Sequence, residues 1–280
     1  SKQRYPRQAR KTCLGLLGAG QMMFLKIMIA TDDDPSDLDA LLSALNDRVD
    51  PDSDITIIPG MVSDALEPAS TFENVQSKLI IDTTKIISSD PRSGNPLEGS
   101  FVEDCPAWRR GEEDAPKISE NLLKEISELP DVADCRLLRD SMLVVTVDIE
   151  GRPDPRTGAS WPDEENAAKK VEKINQLRNS IWQLDSQTAI RWLFVTDNDL
   201  DLHGEGANRR LLWQLTSRFA VERDFIAENG RIFWDATTPI PSLEGETPVR
   251  RWPAITMHDP ETLKAIERFD LPPWPNNLVM

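Results

Sequence analysis

Two acidic clusters hold most of the chemistry this chain could do. Asp32-Asp33-Asp34 closes the apolar run FLKIMIAT, and Asp197-Asn198-Asp199 closes the run WLFVT. A strand ending in D-x-D can hold a divalent cation and a diphosphate, because paired carboxylates suit hard cations. A metal-dependent glycosyltransferase-like enzyme would use them so. The competing role is plainer. Acids ahead of a helix favour the positive end of its dipole and cap its first amides. Repulsion between exposed neighbours is mild, about 1 kcal/mol at 4 Å in water, so the clusters demand no cation. Twin catalytic metal sites in one chain would be unusual. The expectation is therefore that both clusters cap the next helix and face water, with no metal ligand assigned.

Other reactive side chains are sparse. His203 lies beside Gly204 and Gly206, and His258 lies in MHDP. A lone loop histidine is usually a surface residue. Cys13, Cys105 and Cys135 are too far apart in sequence for a disulfide framework or a zinc site, and read as reduced thiols of a cytoplasmic protein. Gly18-Ala19-Gly20-Gln21 lacks the spacing of a phosphate-binding loop. Sequence order alone assembles no Ser–His–Asp or Cys–His set. No catalytic residue is assigned.

The whole chain narrows the classes further. Its 280 residues suffice for two ordinary domains, and 39% apolar with 29% charged residues describes a globular protein. A formal charge of −16 leaves no basic footprint for nucleic acid and disfavours an anionic membrane surface. Basic residues from Lys2 to Lys11 precede a mostly apolar stretch from Cys13 to Ala30, which mimics a signal or anchor. Three glycines, Gln21 and Lys26 interrupt it. A lysine near the centre of a spanning helix costs roughly 2.5–3.5 kcal/mol. A helix, a glycine loop and a strand explain the stretch better than membrane insertion does.

Periodicity then supplies elements that could position the acids. Helical spacing appears over 6–17, at Leu38, Leu41, Leu42 and Leu45, over 117–129, and from Asp163 to Asp185. Strands are expected at 24–31, 55–58, 78–84 and 141–148, with a turn-rich connection at 151–162. The second half then repeats the first. WLFVTDND at 192–199 matches IMIATDDD at 27–34, LLWQLTSRFAVERD at 211–224 matches LLSALNDRVDPDSD at 41–54, and GRIFWDATT at 230–238 matches SKLIIDTT at 77–84. Three blocks in one order predict a duplicated module. The expected fold is α/β: two similar modules, each a mixed β-sheet flanked by helices. Module 1 spans 1–90, a connecting segment with an added strand and helices spans 91–190, and module 2 with a C-terminal tail spans 191–280. Trp252, Trp274 and the PPWP segment at 272–275 suggest homo-oligomerisation through the tail.

The motifs of the first half point to a family. Lys2-Gln3-Arg4-Tyr5-Pro6 with Ala9-Arg10-Lys11, Leu14-Gly15-Leu16, the acidic strand end, Arg48-Val49-Asp50-Pro51, and Ser77-Lys78 with Asp82-Thr83-Thr84 follow in order over about 85 residues. Together they resemble the C-terminal domain of UbiD-family decarboxylases. Leu79-Ile80-Ile81 and Thr83 depart from the family's SK-x-G-I-D-A-T pattern. The loop Gly18 to Met23 looks like long-form members associated with menaquinone-type naphthoates. The resemblance implies reversible decarboxylation of an unsaturated or aromatic acid by prenylated FMN, with a divalent metal and potassium at the flavin phosphate. It implies that the catalytic Glu–Arg–Glu network lies in an upstream flavin-binding domain, on the same or a separate chain. No cofactor is expected on these 280 residues themselves. Gln21, Met22 and Met23 could line the rim of the cofactor cleft, the alternative being that the methionines belong to an ordinary core. The N-terminal basic residues could meet the flavin phosphate or the missing domain.

Overall fold

A computed structural model describes residues 4–85, 116–152, 162–244 and 248–250, with 261, 262 and 264. Cys105, His258, Trp252, Trp274, the PPWP segment and most of the 151–162 connection lie outside the described residues. The fold is α/β, with two mixed sheets flanked by helices.

Helix α1 (Gln8–Leu17) turns Cys13 and Leu17 inward, one helical turn apart. A 3-10 turn, Gly20–Phe24, follows. Gly20 has φ of 51°, a backbone region that costs glycine little. That turn consumes part of the apolar run expected as a strand over 24–31, so β1 is only Ile27–Ala30 and half-buried. Helix α2 (Leu38–Arg48) follows, then β2 (Ile55–Val62) and β3 (Val75–Asp82). β2 outruns its expected 55–58, and β3 starts three residues before the expected 78–84 and ends two residues short of it. Pro59-Gly60 reads as a stop, yet a register shift between Ile58 and Met61 absorbs it, and pairing resumes through Val62 opposite Val75. The first sheet has the order β1-β3-β2, with β1 parallel and β2 antiparallel to β3.

The remainder comprises α3 (Glu120–Ser127), β4 (Asp134–Arg139), β5 (Met142–Val147), α4 (Glu164–Leu184), β6 (Trp192–Asp197), α5 (Ala207–Ser217), the short α6 (Val221–Asp224), β7 (Phe225–Glu228) and β8 (Arg231–Asp235). Their sheet runs β4-β5-β6-β8-β7. Strands β4 and β7 are absent from the sequence expectation. β7 carried a readable signal: Asn229-Gly230, with φ of 53° and 73°, is the pair a tight hairpin turn demands. β4 had none, because its DCRLLR alternates charge with partial burial. The strands of the middle segment belong to this sheet, since β5 lies parallel to β6 and antiparallel to β4.

Strands β6, β8 and β7 share the order, directions and register of β1, β3 and β2. Ile27 opposes Leu79 and Ile55 opposes Ile81, while Trp192 opposes Ile232 and Phe225 opposes Trp234. One apolar core joins the two sheets, with Leu45, Leu79 and Ile81 meeting Trp192, Phe219 and Trp234. Helices α3 and α4 cover the other face of the larger sheet through Ile126, Ile174 and Ile181. Helix α1 covers the smaller one through Cys13, Leu17 and Ile80. Among the described residues no helix is long and apolar enough to cross a membrane.

A polar contact also ties the sheets. Glu222 accepts the Ser77 amide at 3.0 Å. Burial pushes the Glu222 carboxyl up, but the contacts led by the hydrogen bond from the Ser77 amide outweigh that and leave it below its ordinary 4.5. A depressed carboxyl stabilises the fold fully above its unfolded value and loses that contribution as pH falls through its folded value. The urea midpoint is therefore expected to fall below pH 4.5, and Glu222→Gln should flatten part of that fall. An identical pH profile in the two proteins would contradict this.

Candidate functional site

The acidic clusters sit where β1 and β6 end, beside the ends of β3 and β8. In the first half Asp32 accepts the Lys85 amide at 2.7 Å. Asp33 takes Arg48 Nη1 at 2.6 Å, and Arg48 also reaches the Thr83 carbonyl at 3.3 Å. The Arg48 donor holds the Asp33 carboxyl below its usual range. Asp34 closes its own turn on the Ser36 amide and hydroxyl. In the second half Asp197 is fully buried. Its Oδ2 accepts Arg218 Nη1 at 2.5 Å and the Thr238 amide and hydroxyl at 2.9 and 2.5 Å, with Arg152 Nη1 at 3.4 Å. Asp199 lies 3.5 Å from Arg152 and 3.6 Å from Arg218.

These contacts correct the expectation that both clusters cap the next helix and face water. Asp37, accepting from the Ala40 amide, caps α2. Helix α5 begins after Gly206, without any side-chain cap. The clusters instead pair with an arginine at the exit of that helix, Arg48 or Arg218. A carboxylate as deep as Asp197 must be paired, since an isolated buried charge is prohibitively costly. Arginine suits the role because its planar fork can serve two carboxylates at once. Arg152 and Arg218 each lie within 3.6 Å of both Asp197 and Asp199 and supply the positive charge those carboxylates need. The arrangement is a tether joining strand tip, helix exit and neighbouring strand. Among the described residues no group of three or more His, Cys, Asp or Glu is placed to hold a metal.

Sequence reasoning left Arg152, Arg218 and Lys170 without roles. Lys170 Nζ lies 3.5 Å from Asp235, whose other oxygen takes the Thr237 amide and hydroxyl. Arg218 was legible, because it aligns with Arg48 in the matched blocks. Arg152 precedes the 153–161 stretch and had no periodic signal.

The other candidates are not brought together. His203 is exposed and meets Asp134 at 3.2 Å. Burial pushes the thiols of Cys13 and Cys135 up, away from the reactive thiolate. Gln21, Met22 and Met23 lie in the 3-10 turn, with Met22 47% exposed. Of the basic N-terminal residues, Arg7 and Arg10 turn onto the Ser53 carbonyl at 2.8 and 2.7 Å. Prenylated FMN carries a phosphate that needs cations or converging amides. A turn of Gln, Met and Met, with the nearby arginines directed at Ser53, does not fit that group, and no chemical step is assigned to it.

Comparison with known proteins gives the first half its class. Residues 1–83 match the family described as the 3-octaprenyl-4-hydroxybenzoate carboxy-lyase C-terminal domain. Those residues are thus similar to a UbiD-type C-terminal domain, the resemblance that the motifs from Lys2 to Thr84 carry. An uncharacterised protein of Archaeoglobus fulgidus is 36% identical over 86 residues, 30% of this chain and 18% of its own length. Phenolic acid decarboxylase of Sedimentibacter hydroxybenzoicus is 29% identical over 124 residues, 43% of this chain and 25% of that protein. Its counterpart from Escherichia coli O157:H7 is 33% identical over 112 residues, 39% and 23% respectively. This chain therefore spans about a quarter or less of the relatives it matches. Among solved structures, the vanillic acid decarboxylase of Sedimentibacter hydroxybenzoicus in open form aligns at 29% identity over 44% of this chain and 26% of that one, with a TM-score of 0.32.

Proposed function

We propose that this chain is the C-terminal, non-catalytic part of a UbiD-type decarboxylase, serving as scaffold and oligomerisation unit in the cytoplasm. The observation that carries the reading is the match of residues 1–83 to a domain that forms only a minor share of much longer relatives, three of them named phenolic acid decarboxylases. The tethered acids support it, because Asp33 and Asp197 each pair with an arginine at a helix exit and so serve the fold.

In this reading the Glu–Arg–Glu network, the prenylated FMN, its divalent metal and its potassium belong to a flavin-binding domain on the same or a separate chain. The surface we assign to that domain is α1 with the turn after it. Tyr5, Leu14, Leu16, Met22 and Leu25 are each at least 40% exposed there. Such an apolar set, rimmed by Gln21 and Met23, is the kind of patch that marks an interface. The substrate class is an aromatic or unsaturated carboxylic acid, and the specific candidate is a menaquinone-pathway naphthoate.

The test combines this chain, reconstituted prenylated FMN and a separately expressed flavin-binding domain of a relative. The chain alone is expected to release no carbon dioxide from naphthoate or phenolic acids. Together with the flavin-binding domain it should form a stable complex that does. Turnover by the chain alone would overturn the division of labour. Manganese-dependent binding of a nucleotide sugar would favour the glycosyltransferase-like alternative. A second reading, a stand-alone interaction protein derived from the decarboxylase tail, is favoured by one observation: the family match stops at residue 83, leaving the larger sheet outside it. Failure to engage any flavin-binding domain would select it.

A further inference from the structure

The contacts between the halves are reciprocal. In the matched blocks Asp52 corresponds to Glu222 and Ser77 to Gly230, and Lys26 and Arg191 stand just ahead of the first pair of blocks. Glu222 accepts the Ser77 amide at 3.0 Å, and Asp52 accepts the Gly230 amide at 3.2 Å. Lys26 donates to the Phe219 carbonyl just beyond α5 at 2.7 Å, and Arg191 donates to the Asn46 carbonyl near the end of α2 at 2.5 Å. The Glu222–Ser77 contact is thus answered by its equivalent, Asp52–Gly230, while Lys26 and Arg191 cross in opposite directions to helix-end carbonyls that are three residues out of equivalence. An apolar cavity of about 70 Å³ between the halves is lined by equivalents too, Ile27 with Trp192, Leu41 with Leu211 and Leu45 with Leu215.

The hydrogen bonds within each half repeat as closely. The Thr83 amide bonds the Ala30 carbonyl, and the Ala236 amide the Val195 carbonyl, both at 2.8 Å. Asp54 accepts the Asp50 amide at 3.0 Å, and Asp224 accepts the Ala220 amide at 2.8 Å. A contact in which i meets j while the equivalent of i meets the equivalent of j is the property of a twofold, isologous interface. Chance packing of two unrelated domains has no reason to produce it.

We propose that the α1–β3 and α4–β8 regions are two copies of one module paired about a local twofold axis, and that the face buried between them is a homotypic docking surface filled by the chain's own second copy. The partner this surface fits is another copy of the module. Covalent linkage gives the internal copy a high effective concentration, so it outcompetes a second chain. The inference rests on the contacts between the halves alone, and a failed decarboxylase assay leaves it standing.

The test disables the pairing anchors of the second copy in the full chain, with Arg191→Glu and Glu222→Arg together. The released face of the first copy should then take the same face of another chain, each Asp52 accepting the partner's Ser77 amide. Native mass spectrometry is expected to find a dimer at micromolar concentration, and adding Asp52→Arg should return it to monomer. A folded monomer, or a dimer indifferent to Asp52→Arg, would overturn the proposal. Two milder chains, Glu222→Ala and Asp52→Ala, make the check without repulsion, should the first variant fold poorly. Each should raise hydrogen exchange about tenfold at its own cross-axis donor, Ser77 or Gly230, the scale of one lost charge-assisted bond. Unchanged exchange at both amides would equally sink the reciprocal anchoring.

Discussion

Replacing Asp197 by alanine is expected to cost about 3–5 kcal/mol of unfolding free energy, the range for breaking a buried ion pair from one side. Asp197 is 0% exposed and Arg218 is 6% exposed, so water cannot replace the lost partner. The substitution also strips the acceptor from the Thr238 amide and hydroxyl. The tip of β6, the exit of α5 and the end of β8 would lose their common tie together. Urea unfolding measures the effect directly. Asp33→Ala, at the matching tip of the first half, provides the contrast. Asp33 and Arg48 keep about a quarter of their side-chain surface in water, which can resolvate both, and the loss there should be much smaller. Equal losses at the two positions would contradict the assignment of Asp197 as the buried keystone.

Trp234→Ala should cost a similar amount, about 3–5 kcal/mol, as large aromatic truncations in cores do. Trp234 packs on Phe219 at a ring-centroid distance of 4.5 Å, on Phe225 at 5.4 Å and on Phe194 at 5.9 Å. Its indole N–H donates to the Leu215 carbonyl at 3.1 Å, fixing the ring against α5. Trp234→Phe keeps most ring contacts and forfeits that bond, so it should cost about 1–2 kcal/mol. Thermal or urea denaturation of the three proteins gives the ranking. A phenylalanine variant as unstable as the alanine one would place the weight on the hydrogen bond instead of the rings.

The same residue shows how the two halves fit. Where the first half carries Ile27, Ile29, Val49, Ile55 and Ile81, the second carries Trp192, Phe194, Phe219, Phe225 and Trp234. Most of these side chains share one core. Interiors pack to crystal-like density, which favours opposing large rings against smaller aliphatics.

The sequence by itself determined the α/β class, the long helices and the apolar centres of the strands. Those follow from side-chain periodicity, a local property. Its ordered motifs also pointed to the family whose model matches residues 1–83, because each short block constrains the next. The strand-tip acids were visible, but their partners were not. Arg218 lies 21 residues from Asp197 and Thr238 lies 41 away, so only folding brings their charges and amides within reach. For that reason the clusters read locally as helix caps and proved to be tethers. Tertiary structure likewise decided β4, whose short, half-polar segment gains strand geometry from the neighbour it hydrogen-bonds. It decided, finally, which faces meet: periodicity shows that a face is apolar, and complementary volume across the core selects its partner.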